Sequence, residues 1–270
     1  MRKIDCPTIQ DQLLLASLPE SQNESVAEMA SRIADISARY DLYDRHNGDP
    51  WCINEDVSFR ALKKPLNSIY ERPPVALAFI SNLRSSIEGV CPVCGRDALG
   101  TLDHYLPKAN YSEFSFYSKN VVPACDRCNN KRSNDYKGTN IGERPLHPYF
   151  DGFASNRVIT VNFEPSWLAP KLTPIPYNVT GTELAVVSWH IENVVRPAGI
   201  DEYLIALWGS LLNDLRILIP DRSSLASMKT KLDDIESYER IVGKSINSWR
   251  CAFWHGLRMN DAALTYLQSL

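Results

Sequence analysis

No stretch of this 270-residue chain holds the roughly 18 consecutive apolar residues that a membrane-spanning helix requires. The opening MRKIDCPTIQDQLLLASLPES carries one short apolar patch and neither the h-region nor the cleavage site of a secretory leader. The expectation is a cytoplasmic protein. Internal repeats and low-complexity tracts are also lacking, so neither a solenoid nor a composition-driven linker is expected. Basic charge is not in excess: 29 Lys and Arg stand against 32 Asp and Glu, a net charge of −3. That argues against coating nucleic acid through global charge but leaves room for a local basic groove. A disulfide framework fits poorly, because the seven cysteines are odd in number and Cys6, Cys52 and Cys251 are scattered.

The other four cysteines form two C-x2-C pairs, Cys91/Cys94 and Cys125/Cys128, thirty residues apart. In a cytosolic chain this spacing points to a tetrahedral structural zinc, closed to substrate. The gap is too long for a simple ribbon and predicts structure of its own. Leu102, His104 and Leu106 alternate as in a short strand, residues 120–123 open a second, and 124–132 suit a short helix carrying Cys125, Cys128 and Asn129. Gly95 after the first pair suits a tight knuckle turn.

Around this module the periodicity predicts helices over 24–44, 74–87, 225–242 and 245–256, one starting at Asp201, and one at the chain's end. Residues 1–23 look like an irregular entry, and short strands are expected at 158–163 and 184–190. The fold class is therefore α+β, divided as 1–89 (helical), 90–153 (zinc-stapled module) and 154–270 (mainly helical). The Leu204–Leu215 stripe and the Trp249–Trp254 segment are mostly core, with part of that surface a candidate partner site.

Leu102-Asp103-His104-Tyr105-Leu106-Pro107, then Asn120-Val121-Val122-Pro123, then Cys125-x-x-Cys128-Asn129-x-Lys131 resembles the HNH, or ββα-metal, nuclease superfamily in its zinc-stapled form. The resemblance covers about a sixth of the chain. It implies that His104 is the general base, that Asp103 is a metal ligand, and that Asn120 braces the loop positioning the histidine. Asn129 stands where the family often has histidine, a departure also found in the HNH domain of RNA-guided CRISPR nucleases. A neutral imidazole can take a proton from water near pH 7. Oxygen donors from Asp103 and Asn129 with open water positions favour Mg²⁺ or Mn²⁺ over zinc. The implied reaction is hydrolysis of DNA, with RNA as an alternative substrate, leaving 5′-phosphate and 3′-hydroxyl ends. Lys108, Lys119, Arg127, Lys131 and Arg132 are the candidate phosphate contacts, set against a solvated charged face as the plainer reading.

His147 in RPLHPYFD suits a loop histidine bonded to backbone, with a place in the groove as the alternative. Tyr105, Tyr111, Phe114, Phe116 and Tyr117 suit the core of a small module, with base stacking as the alternative. The M-R-x-I start, the HPYFD segment and the C-terminal Asn247, Trp249, Arg250, Ala252, Gly256 and Leu257 are similar to PtuB-like HNH proteins of Septu and retron antiphage systems. That second resemblance implies a partner ATPase of the ABC (PtuA-like) type. The rival from another class is a zinc-held module that binds nucleic acid or protein and cuts nothing.

Overall fold

A computed structural model describes residues 1–20, 23–85, 88–97, 100–131 and 134–270. The apolar periodicity of 24–44 is realised as α2 (Glu24–Met29), a tight turn, and α3 (Ile33–Arg45), with Val26, Met29, Ile36 and Tyr40 all buried. Asn23 starts α2 by accepting from the Val26 amide at 3.3 Å, meeting one of the donors a helix start leaves open. The entry segment is not wholly irregular, since α1 (Asp11–Ser17) precedes α2. Two more helices follow, α4 (Lys63–Glu71) and α5 (Phe79–Ser85). The helix expected over 74–87 opens with a 3₁₀ turn at Val75–Leu77 before α5, and residues 86 and 87 lie outside the described set.

The centre holds two short antiparallel strands, β1 (Thr101–His104) and β2 (Val121–Ala124), with Asp103 opposite Val122 and His104 opposite Val121. A sixteen-residue loop joins them, and α6 (Asp126–Lys131) follows and packs against β1.

Beyond it, β3 (Ile159–Glu164) pairs with β4 (Lys171–Pro176), and the chain then runs through α7 (Gly181–His190), α8 (Ile200–Asn213), α9 (Leu215–Leu218), α10 (Leu225–Gly243), α11 (Trp249–Arg258) and α12 (Asp261–Gln268). The strand expected at 184–190 is instead the body of α7. Val186 and Val187 favour a strand locally, but burying Val186, Val187 and His190 on one helical face wins. β4 was hidden by Pro174 and Pro176, which a two-stranded ribbon tolerates because each strand has an open edge.

α11 lies so close to β3 that a Cβ on Gly256 would stand 2.1 Å from the Val161 carbonyl oxygen. Just before α11, buried Asn247 donates to the Ala154 and Asn156 carbonyls and accepts from the Val158 amide at 2.8 Å. Buried apolar side chains from the N-terminal, central and C-terminal stretches form one continuous cluster. Within it Trp249 and Trp254 are buried, as are Leu204, Trp208, Leu211 and Leu215. Trp254, at 3% exposure, belongs to the core and offers no anchor to a partner in this conformation. Among the described residues, no helix is long and apolar enough to cross a membrane.

Candidate metal centre and the adjoining Asp-His dyad

The two thiol pairs meet. Cys91, Cys94, Cys125 and Cys128 are all buried, with every sulfur within 4.8 Å of the others. Cys94 and Cys125 are 3.7 Å apart, close to the ~3.8 Å edge of a tetrahedron with Zn–S bonds of about 2.3 Å. The Cys125 amide donates to the Cys91 sulfur at 3.3 Å, and the Cys128 amide to the Cys125 sulfur at 3.4 Å. Such donors favour thiolates. Burial pushes the Cys94 thiol well above its ordinary value, and the neighbouring sulfurs do the same to Cys128. Four ionised sulfurs this close need a cation, and a dication such as zinc fits the donor set.

The flanks clamp the knuckle. Gly95 has φ +86°, and a Cβ there would lie 2.6 Å from the Asn247 carbonyl oxygen, so only glycine fits the turn. The Trp249 indole donates to the Cys94 carbonyl at 2.6 Å, and the His190 ring nitrogen Nε2 lies 2.8 Å from the Val93 carbonyl oxygen.

Asp103 and His104 end β1. The Asp103 carboxylate accepts from the His104 amide at 2.8 Å, which fixes it against its own strand. His104 Nε2 stands 2.8 Å from the Ser115 carbonyl oxygen. A carbonyl can only accept, so the proton of a neutral ring sits on Nε2 and the basic lone pair on Nδ1. The Tyr70 ring meets the imidazole edge-on at 4.5 Å, and His104 is 6% exposed.

Asn120 holds the intervening loop. Its side chain accepts from the Leu106 amide at 2.8 Å and donates to the carbonyls of Leu106 at 3.0 Å and Phe114 at 3.2 Å. The Tyr43 hydroxyl donates to the same Asn120 oxygen at 3.1 Å, and His147 Nε2 reaches the Tyr43 hydroxyl at 3.0 Å. His147 Nδ1 accepts from the Tyr149 amide, so the ring proton is on Nε2. His147 is therefore a buried brace, which agrees with a backbone-bonded loop histidine. The loop is tied down further by Arg39 on buried Glu113 at 2.7 Å and by Asp11 on the Ser118 hydroxyl at 2.6 Å. Tyr105, Tyr111, Phe114, Phe116 and Tyr117 are all buried, so these rings are core and not stacking platforms.

The candidate phosphate contacts are dispersed. Lys108 ion-pairs with Glu71 at 3.0 Å and lies over the Tyr70 ring, while Lys119 ion-pairs with Asp44 at 2.6 Å. Arg127 reaches toward the Ala198 carbonyl at 3.5 Å, and Lys131 is exposed at the end of α6. Arg132 lies outside the described residues. Asn129 is exposed on α6, the helix packed on the strand of Asp103. Among the described residues, no cluster of three or more His, Cys, Asp or Glu besides the four thiols could hold a metal.

The chain is similar to protein ea31 of Escherichia phage lambda. The two are 30% identical over 131 residues, 46% of this chain and 43% of that one. The match thus spans less than half the length of the phage protein. No family model and no solved structure matches.

Sequence inspection overlooked Tyr43, Tyr70, Ser115 and the Asp11 and Arg39 braces. Ser115 acts through its carbonyl, which no residue type can announce. The others approach the dyad and its loop from helices 34 to 107 positions away in sequence.

Proposed function

We propose that this chain is a metal-dependent endonuclease of the HNH type that hydrolyses DNA phosphodiester bonds. One observation supports the reading most directly: the Ser115 carbonyl holds His104 as the Nε2-H tautomer beside Asp103, on a loop pinned by Asn120.

In this reading His104 Nδ1 takes a proton from the attacking water, which is worth on the order of 10²–10⁴ in rate. Asp103 and Asn129 would hold Mg²⁺ or Mn²⁺, whose chemistry there is Lewis-acid neutralisation of charge on the scissile phosphate. The Ser115 carbonyl stabilises the imidazolium that forms, because its hydrogen bond strengthens when the ring is charged. Tyr70 limits the ring's tilt. The zinc-bound knuckle does no chemistry and fixes β1 relative to α6, and so Asp103 relative to Asn129. The C-terminal resemblance extends the proposal to a nuclease effector in antiphage defence, working with a partner ATPase.

The near-complete burial of His104 favours a second reading, a zinc-held binding module without catalysis. Incubating the zinc-loaded protein with supercoiled plasmid separates the two. Nicking that requires Mg²⁺ or Mn²⁺ and stops on chelation is the result expected of the nuclease. No cleavage with either ion, at protein concentrations that bind the plasmid, would leave the binding module standing.

A further inference from the structure

An imbalance of charge lies away from the Asp-His dyad, along one face of α10. Two clefts of about 290 and 300 Å³ adjoin there, and Arg240 and Ile246 line both. The first is lined by Arg2, Lys3 and Lys244, the second by Arg157, Arg258, His255 and Ser237. Asp233 and Glu236 are the carboxylates in the lining, and Glu88 ion-pairs with Lys244 from outside it. Six cations therefore face three carboxylates, in a chain whose net charge is −3.

The carboxylates are already committed. Arg157 pairs with Glu236, and Arg258 pairs with Asp233 at 2.9 Å. Arg240, exposed at the junction of the clefts, has no ion pair among the described residues. Arg2 and Lys3 direct donors to the carbonyls of Lys244, Glu88 and Ile4, and neither has a carboxylate ion pair among the described residues. Burial first, and Arg258 and Arg240 close by, hold the Arg157 guanidinium down to about 10, still charged at pH 7. His255 is held down to about 4 by burial, Arg157 and Arg258, so it is neutral at pH 7 and can add an N–H donor.

Positions 233, 236, 237 and 240 recur at helical spacing and extend about 10 Å along α10 at 1.5 Å per residue, with Lys244 just past its end. The two clefts run into one another at Arg240 and Ile246, which line both. A groove of cations that tracks a backbone suits one strand, whereas a duplex is too wide to enter clefts of this size.

We infer that this trough binds the phosphate backbone of a single nucleic-acid strand, outside the Asp103-His104 site. The inference rests on the reading of nucleic acid as substrate and adds where a displaced or unpaired strand is held.

The test is fluorescence anisotropy with labelled single-stranded and duplex oligonucleotides, in chelator that stops cutting but leaves thiolate-bound zinc in place. Wild type is compared with the Arg240→Gln/Lys244→Gln double variant across a salt series. Both side chains are solvent-facing, and matched melting temperatures will show that the variant folds. The expected result is single-strand affinity at least tenfold weaker in the variant. The slope of log K against log salt should fall by about 1.4, or 0.7 for each cation removed. Unchanged affinity and slope overturn the proposal, as does a wild type that binds no single strand or a variant that loses only duplex binding. Plasmid cleavage measured in parallel keeps the two readings apart. Cleavage with an unaltered salt slope sinks the trough alone, and a reduced slope without any cleavage sinks the nuclease alone.

Discussion

Replacing Asn120 by alanine removes four hydrogen bonds from a fully buried site. The consequences differ by partner. The Leu106 amide loses its acceptor outright, and a buried donor left without one costs about 1–3 kcal/mol. The Leu106 and Phe114 carbonyls lose a donor each, and the Tyr43 hydroxyl can turn toward the Lys119 carbonyl at 3.3 Å, so these losses are smaller. With the small cavity left behind, the total comes to about 3–5 kcal/mol. At roughly 2–4 °C per kcal/mol for a chain of this size, the melting temperature should fall by about 6–20 °C. Thermal melting by circular dichroism on zinc-loaded protein measures this. Hydrogen exchange should show the Leu106 amide losing protection while α11 amides keep theirs. A fall of less than about 3 °C, with the Leu106 amide still protected, would refute the claim that Asn120 holds the loop.

Three further outcomes follow from the same structure. Gly256→Ala should destabilise by about 1–3 kcal/mol or more, because its Cβ would meet a backbone oxygen of β3 that cannot step aside; an unchanged denaturant midpoint contradicts the close packing of α11 on β3. His255 takes its proton at about pH 4 in the fold but near 6.5 when unfolded, so the stability it confers is complete above about 6.5 and is lost as pH falls toward 4. His255→Gln should flatten the melting-temperature profile in that window, and identical profiles would contradict it. Cys128→Ser should abolish bound zinc, one ion per chain in the wild type by elemental analysis, and unfold the knuckle; mild chelation should leave the wild-type zinc in place.

How far the sequence discloses this arrangement depends on how local each signal is. The thiol pairs, β1, β2 and α6 were legible because C-x2-C spacing and short alternation are patterns within a few residues, although α6 starts at Asp126 and carries Cys128 and Asn129 but not Cys125. α8, α10 and α12 were legible from their apolar stripes, and α11 from the apolar 245–256 segment. α7 was misread because Val186 and Val187 have strand preference, while their helical burial is decided by distant neighbours. α4 gave little signal, with Pro65 near its start and Leu66 and Ile69 as its remaining buried residues. Within the candidate site, His104, Asp103 and Asn120 stood out by type and spacing. Their supports did not: Tyr43 on α3, Tyr70 on α4 and the Ser115 carbonyl become visible only when the chain has folded around the loop. The basic trough was equally hidden, because its six cations come from four separate stretches of a chain with net negative charge.

The central claim is that His104 acts on water, with its tautomer set by Ser115. The most direct measurement is the rate of plasmid nicking by His104→Ala beside wild type, in Mg²⁺ and in Mn²⁺, at matched zinc content and melting temperature. The account predicts a rate at least 10²-fold lower with DNA affinity essentially unchanged. Nicking by the variant at near wild-type rate, or a wild type that binds DNA and never cuts it with either ion, would contradict it.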